Sequence, residues 1–213
     1  MELYDSEEEQ LEAIKKWFNE NGKAITIGLV VGIACVLGWN GWQSYQSNQA
    51  REASDLFQEL LKADENSKSD SLAKIGERIV TDYPTSIYAD YAGLFLAKQN
   101  VEAGELDQAR EKLEHVVSIS SDPAIRNIAR LRLLRVLLAE GKAQEALDLI
   151  NELAVASGGK FEGAFEELKG DAYVALAKER EARSAYERAS ELGRTSKFLE
   201  LKIQDLPVPR PPE

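Results

Sequence analysis

The sequence predicts an all-α chain: a single N-terminal transmembrane helix followed by a solenoid of helical hairpins. Three observations predict it. One solid apolar run occupies residues 24–39, interrupted only by Thr26. Beyond it, apolar residues recur at helical spacing, as stripes on otherwise polar segments. From residue 87 onward the chain repeats itself with a period close to that of a two-helix unit.

The apolar run continues through Asn40-Gly-Trp42. As a helix, residues 24–42 span about 28 Å at 1.5 Å per residue, matching a hydrocarbon core of ~30 Å. Trp17 and Phe18 precede it, and Trp39, Trp42 and Tyr45 close it, where amphipathic rings favour the headgroup level. A cleaved signal peptide needs a short basic leader and small residues at a cleavage site. Here the leader is long and acid-rich and no Ala-x-Ala follows, so residues 23–45 are read as an uncleaved anchor. Lys15, Lys16 and Lys23 precede the helix and Arg51 is the nearest base after it, which puts the N-terminus in the cytoplasm and the larger part across the membrane. Ala24, Gly28, Gly32 and Cys35 form a small-residue stripe along one face, the pattern that lets another membrane helix approach; ordinary glycine content of a membrane helix is the alternative.

Residues 1–22 form the cytoplasmic segment. Ser6 followed by Glu9 suits a capping box, Leu11, Ile14 and Phe18 share a face, and Asn21-Gly22 is expected to stop this short amphipathic helix. The membrane helix itself is expected to run on into polar sequence to Asn66, with Leu56, Phe57, Leu60 and Leu61 as its stripe. A loop at 66–70 leads to a helix with Leu72, Ile75, Ile79 and Val80 inward, ended by Tyr83-Pro84-Thr85-Ser86, which caps the next.

Three hairpins follow. Helices at 87–103, 124–140 and 162–177 are each followed by a turn and a second helix, and Ala109, Ala146 and Ala182 mark equivalent places 37 and 36 residues apart. The third unit is clearest: Gly170-x2-Tyr173, then Ala182-x3-Tyr186-x2-Ala189. The others read Ala97 with Ala109-x3-Leu113-x2-Val116, and Leu134-x2-Leu137 with Ala146-x3-Ile150-x2-Leu153. Small residues let two helices approach and large ones fill the gap one turn away. These units resemble tetratricopeptide repeats, and residues 47–82 look like a degenerate fourth. Ser121-Asp122-Pro123 and Ser157-Gly158-Gly159 are the longer joints. A helix at 195–205, carrying Phe198, Leu199, Leu201 and Ile203, is expected to cap the open end. The repeat domain is thus 46–206, and 207–213 is a proline-rich extended tail.

Composition narrows the function. The net charge is −11, from 37 acids and 26 bases, a poor match for nucleic acid, which rewards basic patches. The single cysteine, Cys35, lies in the membrane run, so the polar part has no disulfide and no thiolate metal site. The single histidine, His115, sits in a Glu- and Lys-rich helix and reads as a surface residue. No phosphate loop, Gly-x-Ser-x-Gly elbow or cofactor motif is present, and the many carboxylate pairs are solvated helix faces. These argue for a binding module and against an enzyme. The first helix of each pair is expected to line the concave side, with Tyr91, Leu94 and Lys98, then Ile128, Leu131 and Arg135, then Ala164, Glu167 and Asp171. That strip suits an apolar partner segment with a carboxylate. Alternatively it is filled by the chain's own N-terminal helices or by the helix at 195–205.

The start and the anchor also resemble a known family, the ancillary SecYEG translocon subunit (YfgM-like) proteins of proteobacteria. The matching residues are Met1, Glu2 and Tyr4, Ala13, Lys15 and Phe18, and Glu20-Asn21-Gly22-Lys23-Ala24. They continue through Gly28, Gly32, Gly38-Trp39 and Trp42, then Leu133 and Arg135-Val136, with Ala182-Arg183-Ser184-Ala185-Tyr186-Glu187 near the end. The proline tail departs from the pattern. The resemblance implies an inner-membrane protein, held in inner-membrane lipid, with a periplasmic repeat domain. It would accompany the SecYEG translocon and a membrane-anchored periplasmic chaperone of the PpiD type, assist exported proteins, and have a link to envelope stress. A generic periplasmic scaffold for envelope assembly is the alternative with the same fold.

Overall fold

The computed structural model describes residues 7–65, 69–154 and 159–207. All regular structure among them is helical: α1 Glu7–Glu65, α2 Ser69–Asp82, α3 Ile87–Glu102, α4 Leu106–Ile119, α5 Pro123–Ala139, α6 Ala143–Ala154, α7 Glu162–Ala175, α8 Glu179–Glu191 and α9 Lys197–Gln204. The chain divides into two units, residues 1–51 and 52–213.

In the first unit the helix does not stop at Asn21-Gly22. It runs unbroken through both residues and through Gly28, Gly32, Gly38 and Gly41. A glycine costs a helix only ~1 kcal/mol, and Asn21 spends its side-chain amide on the Trp17 carbonyl, at 3.0 Å, instead of terminating the turn. Thr26, the polar interruption of the apolar run, returns its hydroxyl to the Gly22 carbonyl at 2.8 Å, which satisfies it without water. The span is long and apolar enough to cross a membrane, and its apolar window is unburied; Leu29, Val30, Leu37 and Trp39 are all open. The face Leu11, Ile14 and Phe18 is exposed as well. The proposed capping serine, Ser6, lies outside the described residues.

In the second unit the last turns of α1 begin a layered stack of antiparallel hairpins. Ala53, Leu60 and Ala63 are buried there, and Leu60 and Ala63 pack with Leu72 and Ile79 of α2 and Ala89 and Ala92 of α3, with Leu56, Phe57, Ile75 and Val80 at the edge. Leu61 was expected in this stripe but is exposed, because it lies a third of a turn round from Leu60. The loop expected at 66–70 is shorter, since Ser69 and Asp70 already belong to α2; residues 66–68 lie outside the described residues.

Each following helix starts and stops for local reasons. Ser86 caps α3 by accepting from the Tyr88 amide. Asp122 caps α5 through the Ala124 and Ile125 amides, with Pro123 in the first turn. The turns within the hairpins share one closure. In each, a residue with positive φ follows the first helix: Gly104 (φ 79°), Gly141 (φ 78°) and Ala177 (φ 55°). The next amide reaches back five residues, Glu105 to Asn100, Lys142 to Leu137 and Lys178 to Tyr173, at 2.8–2.9 Å. This is the left-handed helix ending that glycine adopts freely and alanine does not.

The repeat positions read from the sequence form the packing. Ala109, Ala146 and Ala182 are fully buried. A methyl group on Gly170 would collide with the ring of Tyr186, and one on Gly93 would lie 2.5 Å from Val116 Cγ2; both glycines let paired helices touch backbone to side chain. The main core joins α3 to α7 around Leu113, Leu134, Leu137 and Ile150. A smaller one joins α8 to α9 through Tyr186, Ala189 and Leu199. Of the four residues expected to cap this end, Leu199 is buried and Ile203 half-buried, while Phe198 and Leu201 face outward. An eight-residue helix buries one face only, and Leu206 completes the seal beyond it. The joint at 155–158, the side chain of Leu153 and the tail from residue 208 lie outside the described residues.

Candidate functional site

The first helices of the hairpins, α3, α5 and α7, carry the nine concave positions expected from the sequence. The structure gives them three environments. Leu94 and Leu131 are buried in the main core, and Ile128 and Ala164 pack half-buried against it. They hold the hairpins together, and Leu94 and Leu131 present almost no open surface. Tyr91 is partly exposed and stands 5.9 Å from the Phe57 ring, in an aromatic group completed by Tyr88. Lys98, Arg135 and Asp171, with the buried Glu167, line two adjoining clefts.

The first cleft, of about 380 Å³, lies between α3, α4 and α5. Its floor is apolar: Ala97 and Val101 from α3, Leu106 and Leu113 from α4, Val136 and Ala139 from α5. Lys98, Glu102, Arg132 and Arg135 stand round it. Lys98 is held loosely, 3.5 Å from Glu102 on its own helix and over the Phe95 ring. Arg132 donates to the Leu94 carbonyl at 3.2 Å. Burial, and then the neighbouring charge of Arg135, hold the Arg132 guanidinium below its ordinary range. Arg135 is exposed and, among the described residues, forms no ion pair. This end of the groove therefore has positive charge in excess, in a chain that is acidic overall.

The second cleft, of about 560 Å³, lies between α5, α7 and α9 and shares Arg135 and Ala139 with the first. Here the charge is balanced internally. Glu167 accepts from Arg194 Nε at 2.7 Å and from Lys202 Nζ at 3.1 Å. Asp171 accepts from the Tyr186 hydroxyl at 2.7 Å and from Lys202 at 2.9 Å. Burial raises the Glu167 carboxyl, but its hydrogen bonds to Arg194 and Lys202 outweigh this and hold it below the usual carboxylate range. Burial, then the bond to Asp171, push the Tyr186 phenol far up. The chain's own C-terminal helix thus covers the α7 end of the groove, while the α3–α5 end is open.

Three cleft-lining residues escaped the sequence reading. Arg132 has a signal, its three-residue spacing from Arg135, but it points beside the strip expected from repeat register. Arg194 and Lys202 have none, because their partners lie 27 and 35 residues earlier. His115 is exposed. Among the described residues no group of three or more His, Cys, Asp or Glu is placed to hold a metal ion.

The arrangement of anchor, hairpins and groove extends along the chain, and so do the likenesses to known proteins. The family model for a tetratricopeptide repeat-like domain matches residues 15–208. The ancillary SecYEG translocon subunit of Escherichia coli (strain K12) is 31% identical over 211 residues, 98% of this chain and 100% of that protein. The chain belongs to the ancillary SecYEG translocon subunit family. The member from Haemophilus influenzae is 29% identical over 187 residues, covering 88% of this chain and 90% of that protein. A solved structure of nearly identical TPR-like repeats from Podosopora anserina superposes with a TM-score of 0.54 at 19% identity, over 73% of this chain and 84% of that one. That likeness establishes the fold alone. Within this translocon-subunit family, the present chain couples one apolar N-terminal helix to TPR-like hairpins with a groove closed at one end by α9.

Proposed function

We propose that this protein is a non-catalytic, membrane-anchored binding subunit that accompanies the SecYEG translocon and a membrane-anchored periplasmic chaperone of the PpiD type, and assists exported proteins. The observation that carries this reading is the whole-chain likeness to the Escherichia coli ancillary SecYEG translocon subunit, which includes the anchor as well as the repeats. Residues 23–45 span the inner membrane once, with 1–22 in the cytoplasm and 46–206 in the periplasm. The unburied apolar window of α1 supports the span, and Lys15, Lys16 and Lys23 before it support the orientation.

Two surfaces serve the assembly. The stripe Ala24, Gly28, Gly32 and Cys35 is the proposed seat for a translocon or chaperone helix; a side chain added at Gly28 or Gly32 meets nothing in the protein itself. The groove positions Tyr91, Leu94, Lys98, Ile128, Leu131, Arg135, Ala164, Glu167 and Asp171 form the second. Leu94, Ile128, Leu131 and Ala164 support it from the core, and Lys98 and Arg135 face the partner. Purification of the full chain from membranes in mild detergent tests the reading. A Sec subunit or the chaperone should co-purify, and Gly28→Leu with Gly32→Leu should release it while insertion persists. Protease outside the inner membrane of spheroplasts should digest the repeat domain and spare the N-terminal segment. Absence of both partners, or protection of the repeats, refutes the reading.

A further inference from the structure

The two clefts differ in a way that specifies an occupant. At the α7 end, two carboxylates meet the bases Arg194 and Lys202, and Phe198 lies beside Lys202 with its ring 4.8 Å from the ammonium. That end is covered by a short helix that turns Phe198 and Lys202 toward it. The α3–α5 end carries an excess of positive charge and, among the described residues, no helix over it: an apolar floor, Arg135 without an ion pair, and Lys98 only weakly held. Its volume, about 380 Å³, lies within the range of formed ligand pockets. Arg135 and Ala139 line both clefts, so the open cleft abuts the end that α9 covers.

We propose that the cleft between α3, α4 and α5 docks a polypeptide segment of a partner that is apolar and acidic. Its apolar side chain rests on Val101, Leu106 and Val136, and a side-chain carboxylate pairs with Arg135. This deepens the reading of the repeat domain as the partner-binding part of a translocon subunit and rests on it. Charge-assisted bonds to a guanidinium are strong and directional, and an apolar floor adds affinity without discriminating charge. Specificity therefore lies at Arg135 and affinity on the floor.

The test uses the full chain in detergent micelles and short fluorescent peptides of leucine, alanine and glutamate, blocked at both ends. Matched peptides carry lysine in place of glutamate, or glutamine with a free C-terminus. The blocked glutamate peptide should bind, more weakly as salt is raised, and the lysine and glutamine peptides should bind at least about tenfold less tightly. Arg135→Glu, at an exposed position, should reverse the preference toward lysine. Ala139→Trp, also exposed, should fill the edge of the cleft and abolish binding with the helical content unchanged. Equal binding of the glutamate and lysine peptides, binding only by the peptide with a free C-terminus, failure of every peptide, or unaltered binding by both variants overturns the proposal. If the peptides fail while Sec subunits still co-purify, the cleft assignment falls alone; if the glutamate peptide binds and nothing co-purifies, the translocon reading falls and the cleft stands.

Discussion

Lys202 of α9 lies 3.1 Å from Glu167 of α7, with both side chains largely withdrawn from solvent. This contact fastens the last helix across the groove. The same ammonium also reaches Asp171, at 2.7 Å. Replacing Lys202 by Met leaves two partly buried carboxylates with one base fewer, and should cost about 2 kcal/mol, read as a lower melting temperature of the repeat domain. The effect has a pH sign. The folded carboxyl of Glu167 lies below its usual value, so its contribution is present above the unfolded carboxylate pKa of about 4.3 and is lost as pH falls through the lower folded value. Glu167→Gln should therefore destabilise at pH 7 and lose its effect in acid.

Asp90 predicts the opposite dependence. It is buried, accepts a 2.6 Å hydrogen bond from the Ser120 hydroxyl, and burial pushes its carboxyl above the ordinary range despite that bond. The folded state then holds its proton to higher pH than the unfolded one, and stability falls as pH rises above about 3.9. Asp90→Asn should melt higher than the parent at pH 7, with the two converging in acid. Ser120→Ala, which strips the carboxylate of its donor, should cost about 1–3 kcal/mol at pH 7.

Ala177 occupies the turn position that Gly104 and Gly141 hold in the earlier hairpins, at φ 55°. A left-handed alanine costs about 1 kcal/mol relative to glycine. Ala177→Gly should stabilise by about that amount, and Gly141→Ala should destabilise by a similar amount, in thermal or urea unfolding.

The equivalence of those turns was legible in the sequence, because Gly104, Gly141 and Ala177 each precede a buried alanine by five residues. So were Ala109, Ala146 and Ala182, Gly170 against Tyr186, and the cap Ser86, all set by local chemistry or by a helix touching its immediate neighbour. The concave strip was only half legible. Helical spacing identifies which residues lie on the inner side of α3 and α5, but depth on that side depends on how closely the next hairpin stacks. Leu94 and Leu131 sank into the core, while Val101 and Leu106, at helix ends, became the open floor. The link from Lys202 to Glu167 joins residues with no shared periodicity, so the sequence offered α9 as one possible cover without a partner for it. Asn21-Gly22 misled because their stop signal competes with an apolar run that gains more by continuing the helix.

On the proposed function, the concave side of the repeats receives a translocon-associated partner. Photocrosslinking in intact membranes tests it most directly, with a photoreactive residue at Ala139, which lines both clefts, and at exposed Glu181 on α8 as the comparison. Adducts of Ala139 with a Sec subunit or the membrane-anchored chaperone, reduced by Arg135→Glu, are expected, and none from Glu181. Adducts from Glu181 alone, or none from Ala139 in membranes where the partners are present, would contradict it.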